Sequence, residues 1–131
     1  MIVDDDPLMA GLVQKSLSKL DAVKLSYFEK SEKALKALKK QKPDLIILDW
    51  SMPKITGLQF LIQIRSDKKT EDISVFMLTA KNKGADFMAA SEAGVDGYIT
   101  KPINFEQLNT RIESHIIKQK KLVQSKKRKH S

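Results

Sequence analysis

The chain has 131 residues, a net charge of +8, 41% hydrophobic and 31% charged residues, 5 Gly and 4 Pro, the composition of one globular domain rather than of a disordered or fibrous chain. Cysteine is absent and only His115 and His130 supply imidazoles, which excludes disulfides and thiolate chemistry and leaves a zinc centre or a Ser-His hydrolase almost nothing to work with. The longest apolar stretches, such as Leu45 to Leu48 and Val75 to Leu78, run four residues; that is far below the roughly 18 of a membrane span, no signal-peptide pattern follows Met1, and a cytoplasmic protein is expected.

Short β-rich apolar runs alternate with segments of helical period about five times along the chain. The first strand is Ile2-Val3, and a helix follows from about Pro7 to Leu20. Asp6 is its expected N-cap, Pro7 its first residue, and Met9, Leu12, Val13, Leu17 and Leu20 its inward face. A second strand is read over Val23 to Phe28. The helix after it spans Ser31 to about Gln41, with Ser31 as cap, Ala34, Leu35 and Leu38 inward, and Pro43 beyond its end. Leu45 to Leu48 and Ile73 to Leu78 are continuous enough to be strands buried on both faces of a parallel sheet. Between them a helix from Gly57 to Arg65 carries the stripe Leu58, Leu61 and Ile64. A helix poor in large apolar groups covers Gly84 to Ala93 and stops at Gly94, and Tyr98 to Thr100 is the last strand. Asn104 and Gln107 resemble a capping box opening a fifth helix through Phe105, Leu108, Ile112 and Ile116 toward Val123.

The pattern is that of an α/β protein. It predicts a doubly wound five-stranded parallel sheet, flavodoxin-like (βα)5 with strand order 2-1-3-4-5 and right-handed crossovers that place helices on both faces. The positive charge is unevenly spread. From Arg111 onward eight basic residues face only Glu113, a balance of +7, so residues 1–110 carry +1. The run Lys126-Lys127-Arg128-Lys129 has no interleaved aromatics. It reads as a solvated tail or linker over 121–131 behind a domain of residues 1–120, and direct nucleic-acid binding by this chain is not expected.

In such a sheet the functional crevice lies beyond the carboxyl ends of the strands. The residues following the apolar runs there are Asp4, Asp5 and Asp6, then Glu29 and Lys30, then Asp49, Thr79 and Lys101. Singly, each has an ordinary role as a helix cap, a strand end or a solvated charge. Together they converge on one small site. Carboxylates held close repel one another, and a divalent cation with oxygen ligands relieves them, here Mg²⁺ or Mn²⁺ because the ligand set is small and leaves room for water. Beside a hydroxyl and an ammonium, such a cluster suits a phosphoryl group, with a carboxylate able to act as nucleophile. No GxxxxGK or GxGxxG loop occurs, which argues against ATP or GTP as the direct donor.

These residues resemble the receiver domains of bacterial two-component response regulators, a family that includes the chemotaxis response regulator. The matching pieces are Ile2-Val3-Asp4-Asp5-Asp6-Pro7, Asp44 to Pro53 with Gly57, Met77-Leu78-Thr79-Ala80, and Gly97 to Pro102. Asp49 follows Asp5 by 44 residues and precedes Thr79 by 30 and Lys101 by 52, intervals typical of that family. The resemblance implies that Asp49 is the phospho-acceptor, taking its phosphoryl group from a phosphohistidine on a sensor histidine kinase or phosphotransfer protein. Asp5, Asp49 and the Ser51 main-chain carbonyl would hold Mg²⁺ (or Mn²⁺), with Asp4 acting mostly through water. Thr79 and Lys101 would bind phosphoryl oxygens, Lys101-Pro102 would be a cis peptide, and Tyr98 would be the aromatic switch that follows Thr79.

The implied activity is not that of a turnover enzyme: the domain would catalyse only its own phosphorylation and dephosphorylation, and switch the face formed by the fourth helix, fifth strand and fifth helix for a downstream output domain or protein. Two departures stand out. Only Met1, Ile2 and Val3 precede the acidic group, a shorter first strand than is usual in the family, and Lys81 occupies a variable position that influences phosphate lifetime. Two other functions share parts of this pattern. A haloacid-dehalogenase-type aspartyl-phosphate phosphatase requires Asp-x-Asp-x-Thr/Val, whereas Asp4-x-Asp6 leads to Leu8 and Asp49-Trp50-Ser51 lacks the second carboxylate. The receiver portion of a DNA-binding regulator would need an output module, and no helix-turn-helix follows the fifth helix.

Overall fold

The computed structural model describes residues 1–21, 23–80 and 84–129, with side chains to Gln124. Ten elements alternate: β1 (Ile2–Val3), α1 (Pro7–Leu17), β2 (Tyr27–Phe28), α2 (Ser31–Ala37), β3 (Leu45–Asp49), α3 (Gly57–Ser66), β4 (Ser74–Thr79), α4 (Gly84–Ala93), β5 (Gly97–Thr100) and α5 (Phe105–Lys129). The five strands form one parallel sheet in the order β2-β1-β3-β4-β5, as the alternating pattern predicts.

Strand period divides the core into two layers. On one face Val3, Ile46, Leu48, Val75 and Met77 pack with Ala34 of α2, Phe60, Leu61 and Ile64 of α3 and Ala90 of α4. On the other, Ile2, Ile47, Phe76, Leu78 and Ile99 pack with Ala10, Val13 and Leu17 of α1 and Leu108 and Ile112 of α5. β4 is buried along its whole length, consistent with its continuous apolar run and central position.

Local signals hold where a side chain has its backbone partner close by. Asp6 Oδ1 accepts from Leu8 N at 3.0 Å and Met9 N at 3.4 Å, with Pro7 opening α1. Asn104 Oδ1 accepts from Gln107 N at 3.0 Å at the start of α5.

The structure differs from the expected elements at several points. α1 ends at Leu17, with Ser18 as C-cap, not at Leu20, and its buried stripe is Ala10, Val13, Ser16 and Leu17. Leu12 is 44% exposed rather than inward, because it lies a quarter-turn off that narrow stripe. β2 is two residues, since its only neighbour offers Ile2 and Val3 alone for pairing. α2 ends at Ala37, not near Gln41, as the chain tightens into turns that link Lys39 N to Lys36 O and Gln41 N to Ala37 O. Ser31 does not cap α2. Lys30 holds the N-cap position without a side-chain hydrogen bond, and the Ser31 hydroxyl points away to Ile55. Phe60, outside the expected stripe of α3, is fully buried, whereas Leu58 is partly exposed. α5 continues as helix through Lys129, and Val123 stands 52% exposed. Lys81 lies outside the described residues.

Candidate phosphoryl-transfer site

The carboxyl ends of β1, β3, β4 and β5 bring the sequence-predicted residues together. Asp4 and Asp5 follow β1, Asp49 ends β3, Thr79 ends β4 and Lys101 follows β5. The register pairs Val3 with Leu48, Asp49 with Leu78, and Thr79 with Thr100, which levels these ends at one edge. Carboxylate oxygens of Asp4, Asp5 and Asp49 all lie within 4.8 Å of one another. Lys101 Nζ donates to Asp49 Oδ1 at 3.0 Å. Thr79 is buried, and Lys101 N donates to its carbonyl at 2.9 Å. Lys101-Pro102 is cis.

Electrostatics identify the strained member of this group. Asp4 is wholly buried; its Oδ1 accepts from Asp6 N at 2.9 Å, while Oδ2 has no partner among the described residues. Burial, reinforced by the neighbouring Asp49 charge and opposed by the Asp6 amide and Lys101, pushes its pKa up to about 7. Asp5 is shifted upward too, first by desolvation and then by Asp49. One ammonium among three carboxylates leaves an excess of negative charge. A hard divalent cation with oxygen ligands would fill the unmet valence of Asp4 Oδ2 and the acidic cleft around it.

The loop after β3 is folded tightly against the site. Trp50 N donates to Leu78 O at 2.9 Å and Gly57 N to Trp50 O at 3.0 Å. A Cβ at Gly57 would stand 2.5 Å from the Asp49 carbonyl oxygen and 2.9 Å from Trp50 Cα, so only glycine permits this approach. Ser51 is exposed in the loop, and its side chain is not needed for a carbonyl to serve as ligand.

Tyr98 shows an arrangement that sequence did not foretell. Its ring stacks on Phe87 of α4 at 4.4 Å, its hydroxyl donates to Phe87 O at 2.9 Å, and Ser91 Oγ lies 3.0 Å away. Thr79 sits two residues beyond Met77 and so shares the α4-facing side of the sheet. Arg111 of α5 donates to the Tyr98 carbonyl and lies over the Phe76 ring. Phe87 and Ser91 carried no signal of their own, because their meaning depends on the packing of α4 over β5.

The family model for the response regulator receiver domain matches residues 1–113. The chain belongs to that family. This receiver domain is 32% identical over 113 residues to the chemotaxis protein CheY of Pseudomonas aeruginosa, covering 86% of this chain and 91% of that protein. It is 34% identical to CheY-3 of Vibrio cholerae, covering 86% and 87%. It is also 40% identical over 86 residues to the phosphate regulon transcriptional regulatory protein PhoB of Escherichia coli, covering 66% of this chain but 38% of that protein. Among solved structures, a putative response regulator from Chloroflexus aurantiacus superposes with a TM-score of 0.79 at 29% identity, covering 86% and 92%. CheY4 of V. cholerae gives 0.78 at 25% identity, covering 86% and 93%. The chain is thus a receiver domain of two-component signalling, a signalling family and not a conventional enzyme; the phosphatase reading is not favoured. No helix among the described residues is long and apolar enough to cross a membrane.

Proposed function

We propose that this receiver domain takes a phosphoryl group onto Asp49 from the phosphohistidine of a sensor histidine kinase or phosphotransfer protein. Asp4, Asp5, Asp49 and the Ser51 carbonyl would hold Mg²⁺ (or Mn²⁺), the metal supplying charge neutralisation for the transferring phosphoryl oxygens. The observation that carries the reading is the orphaned Oδ2 of buried Asp4 beside Asp5 and an Asp49 gripped by Lys101.

In the transfer an Asp49 carboxylate oxygen forms the new bond to phosphorus as the bond from phosphorus to the imidazole nitrogen breaks, leaving an aspartyl phosphate. Lys101 orients the acceptor through its 3.0 Å contact and offsets charge on the phosphoryl group. Thr79 donates its hydroxyl to a phosphoryl oxygen, and Tyr98 follows it, shifting the face of α4, β5 and α5 for an output domain or protein. The only reactions catalysed are this phosphorylation and its hydrolysis. The receiver unit is residues 1–120, with 121–131 a basic extension, and the protein acts in the cytoplasm.

The test is adduct formation with acetyl phosphate or beryllofluoride in Mg²⁺, read by mass spectrometry or ¹⁹F NMR. Wild type forms one adduct and Asp49→Ala none. An adduct that persists in Asp49→Ala removes the assignment.

A further inference from the structure

Residues 50–56 link β3 to α3 and carry Ser51. Backbone bonds fix both ends of this loop: Trp50 N to Leu78 O at 2.9 Å, and Gly57 N to Trp50 O at 3.0 Å. At the exit Thr56 and Gln59 form a reciprocal capping box. The middle of the loop is held from another element altogether. Ser31, the first residue of α2, is 1% exposed, and its hydroxyl donates to the Ile55 carbonyl at 2.9 Å with buried Met52 Sδ 3.4 Å away. The next residue of α2, Glu32, pairs with Lys54 at 3.6 Å, and Lys54 holds a left-handed φ of 65°.

A serine opening a helix ordinarily spends its hydroxyl on the helix's own free amides. Here the single hydroxyl proton goes instead to a carbonyl 24 residues away, and the helix start forgoes a side-chain cap. The first turn of α2 therefore trades local capping for a hold on the acceptor loop. Met52, wedged against Ser31, is the neighbour of Ser51, so the orientation of the 51–52 peptide depends on where Met52 is seated.

We propose that Ser31 is a positioning residue of the phosphoryl-transfer site: its buried hydroxyl, through Ile55 and Met52, fixes the loop that aims the Ser51 carbonyl at the metal. This rests on the reading of Ser51 as a metal ligand given above. Removing the hydroxyl leaves the Ile55 carbonyl without its donor and lets the loop relax away from α2. The chief effect falls on metal affinity and not on the acceptor, because Asp49 is fixed by β3 and Lys101.

A buried hydroxyl remote from the site supplies the control. Thr70 Oγ1, in the connection from α3 to β4, donates to Ile64 O at 2.8 Å and is 8% exposed. Trp50 adjoins Asp49, so its fluorescence is expected to report Mg²⁺ binding. Titrating wild type, Ser31→Ala, Thr70→Val and Asp5→Asn, each checked by urea denaturation, separates the outcomes. Ser31→Ala is expected to bind Mg²⁺ about fivefold more weakly, the equivalent of one ~1 kcal/mol hydrogen bond, yet to reach the wild-type beryllofluoride yield at saturating Mg²⁺. Thr70→Val loses comparable stability with unchanged Mg²⁺ affinity. Wild-type affinity in Ser31→Ala, an equal shift in Thr70→Val, or a yield that stays low at saturating Mg²⁺ overturns the proposal. A wild type whose Trp50 ignores Mg²⁺, or an Asp5→Asn that keeps the response, overturns the metal reading itself and the proposal with it.

Discussion

Replacing Asp4 by Asn in the metal-free protein isolates the electrostatic cost of the site. In the folded protein Asp4 titrates at about 7 against an ordinary 3.8, so between roughly pH 4 and pH 7 the native state keeps a proton that the unfolded chain releases. The sign follows from linkage: where the native state binds more protons, stability falls as pH rises. Acid therefore favours the metal-free fold, the cost accumulates through that window, and it levels off above pH 7. A shift of about three units at 1.36 kcal/mol each sets a ceiling near ~4 kcal/mol; relaxation of Lys101 and water entry into the acidic cleft reduce this to an expected ~2 kcal/mol. Asn keeps the acceptor for Asp6 N and brings no charge, so Asp4→Asn should lose that slope and gain ~1–2 kcal/mol at pH 8 in EDTA. Urea denaturation at pH 5 and pH 8 reads both numbers. Millimolar Mg²⁺ should restore wild-type stability at pH 8 and leave the variant largely unaffected. A variant with the same slope as the wild type between pH 5 and pH 8 refutes the argument.

Gly57→Ala places a methyl 2.5 Å from the Asp49 carbonyl oxygen, with backbone on both sides that cannot rotate away. It should cost ~1–3 kcal/mol in denaturation and weaken the Trp50 response to Mg²⁺ as well, whereas a neutral result would mean that β3 and α3 separate freely. Beryllofluoride should change amide exchange across residues 84–112, because α4 buries only Ala90 fully and is tied to Tyr98 through Phe87 and Ser91; changes limited to the loops bearing Asp49, Thr79 and Lys101 would move the switch surface elsewhere. Ser91→Ala removes one partner of the Tyr98 hydroxyl and should raise the mobility of that ring in NMR relaxation, an outcome absent if Phe87 alone holds it.

What was legible in the sequence is what lies within a few residues or repeats with a fixed period. β3 and β4 announce themselves as unbroken apolar runs, and a polar residue at each strand end suffices to place Asp4, Asp5, Asp49, Thr79 and Lys101 at one edge. Asp6 and Asn104 act on amides two or three positions away, so their roles survive folding. Ser31 has the same chemistry as a cap but finds Ile55 closer to hand in three dimensions, and no pattern along the chain encodes that choice. Arg65 is a second case. It reads as the basic end of α3, yet its guanidinium donates to the carbonyls of Glu71, Ile73 and Gly94 and pairs with Asp96 at 3.0 Å. The same Asp96 oxygen accepts from Val75 N at 2.7 Å. Three chain segments at the amino-terminal edge of the sheet thus share one cation. The extents of β2 and α2 escaped for simpler reasons: a strand is only as long as its neighbour allows, and α2 gives way to turns beyond Ala37.

α5 keeps its course well beyond the body of the fold. Ile116 is the last of its residues packed against the core, and the 13 residues from there to Lys129 rise ~20 Å at the helical pitch. Its base is gripped from three sides: Asn109 clasps Ser16 of α1, Arg111 holds the Tyr98 carbonyl, and His115 Nε2 meets Ser74 Oγ at 2.7 Å. A rod clamped at its base converts angle into distance. A tilt of about 5° there sweeps the far end through about 2 Å, so an adjustment at β5 too small to rearrange any single contact arrives at the tip as a displacement the width of an atom.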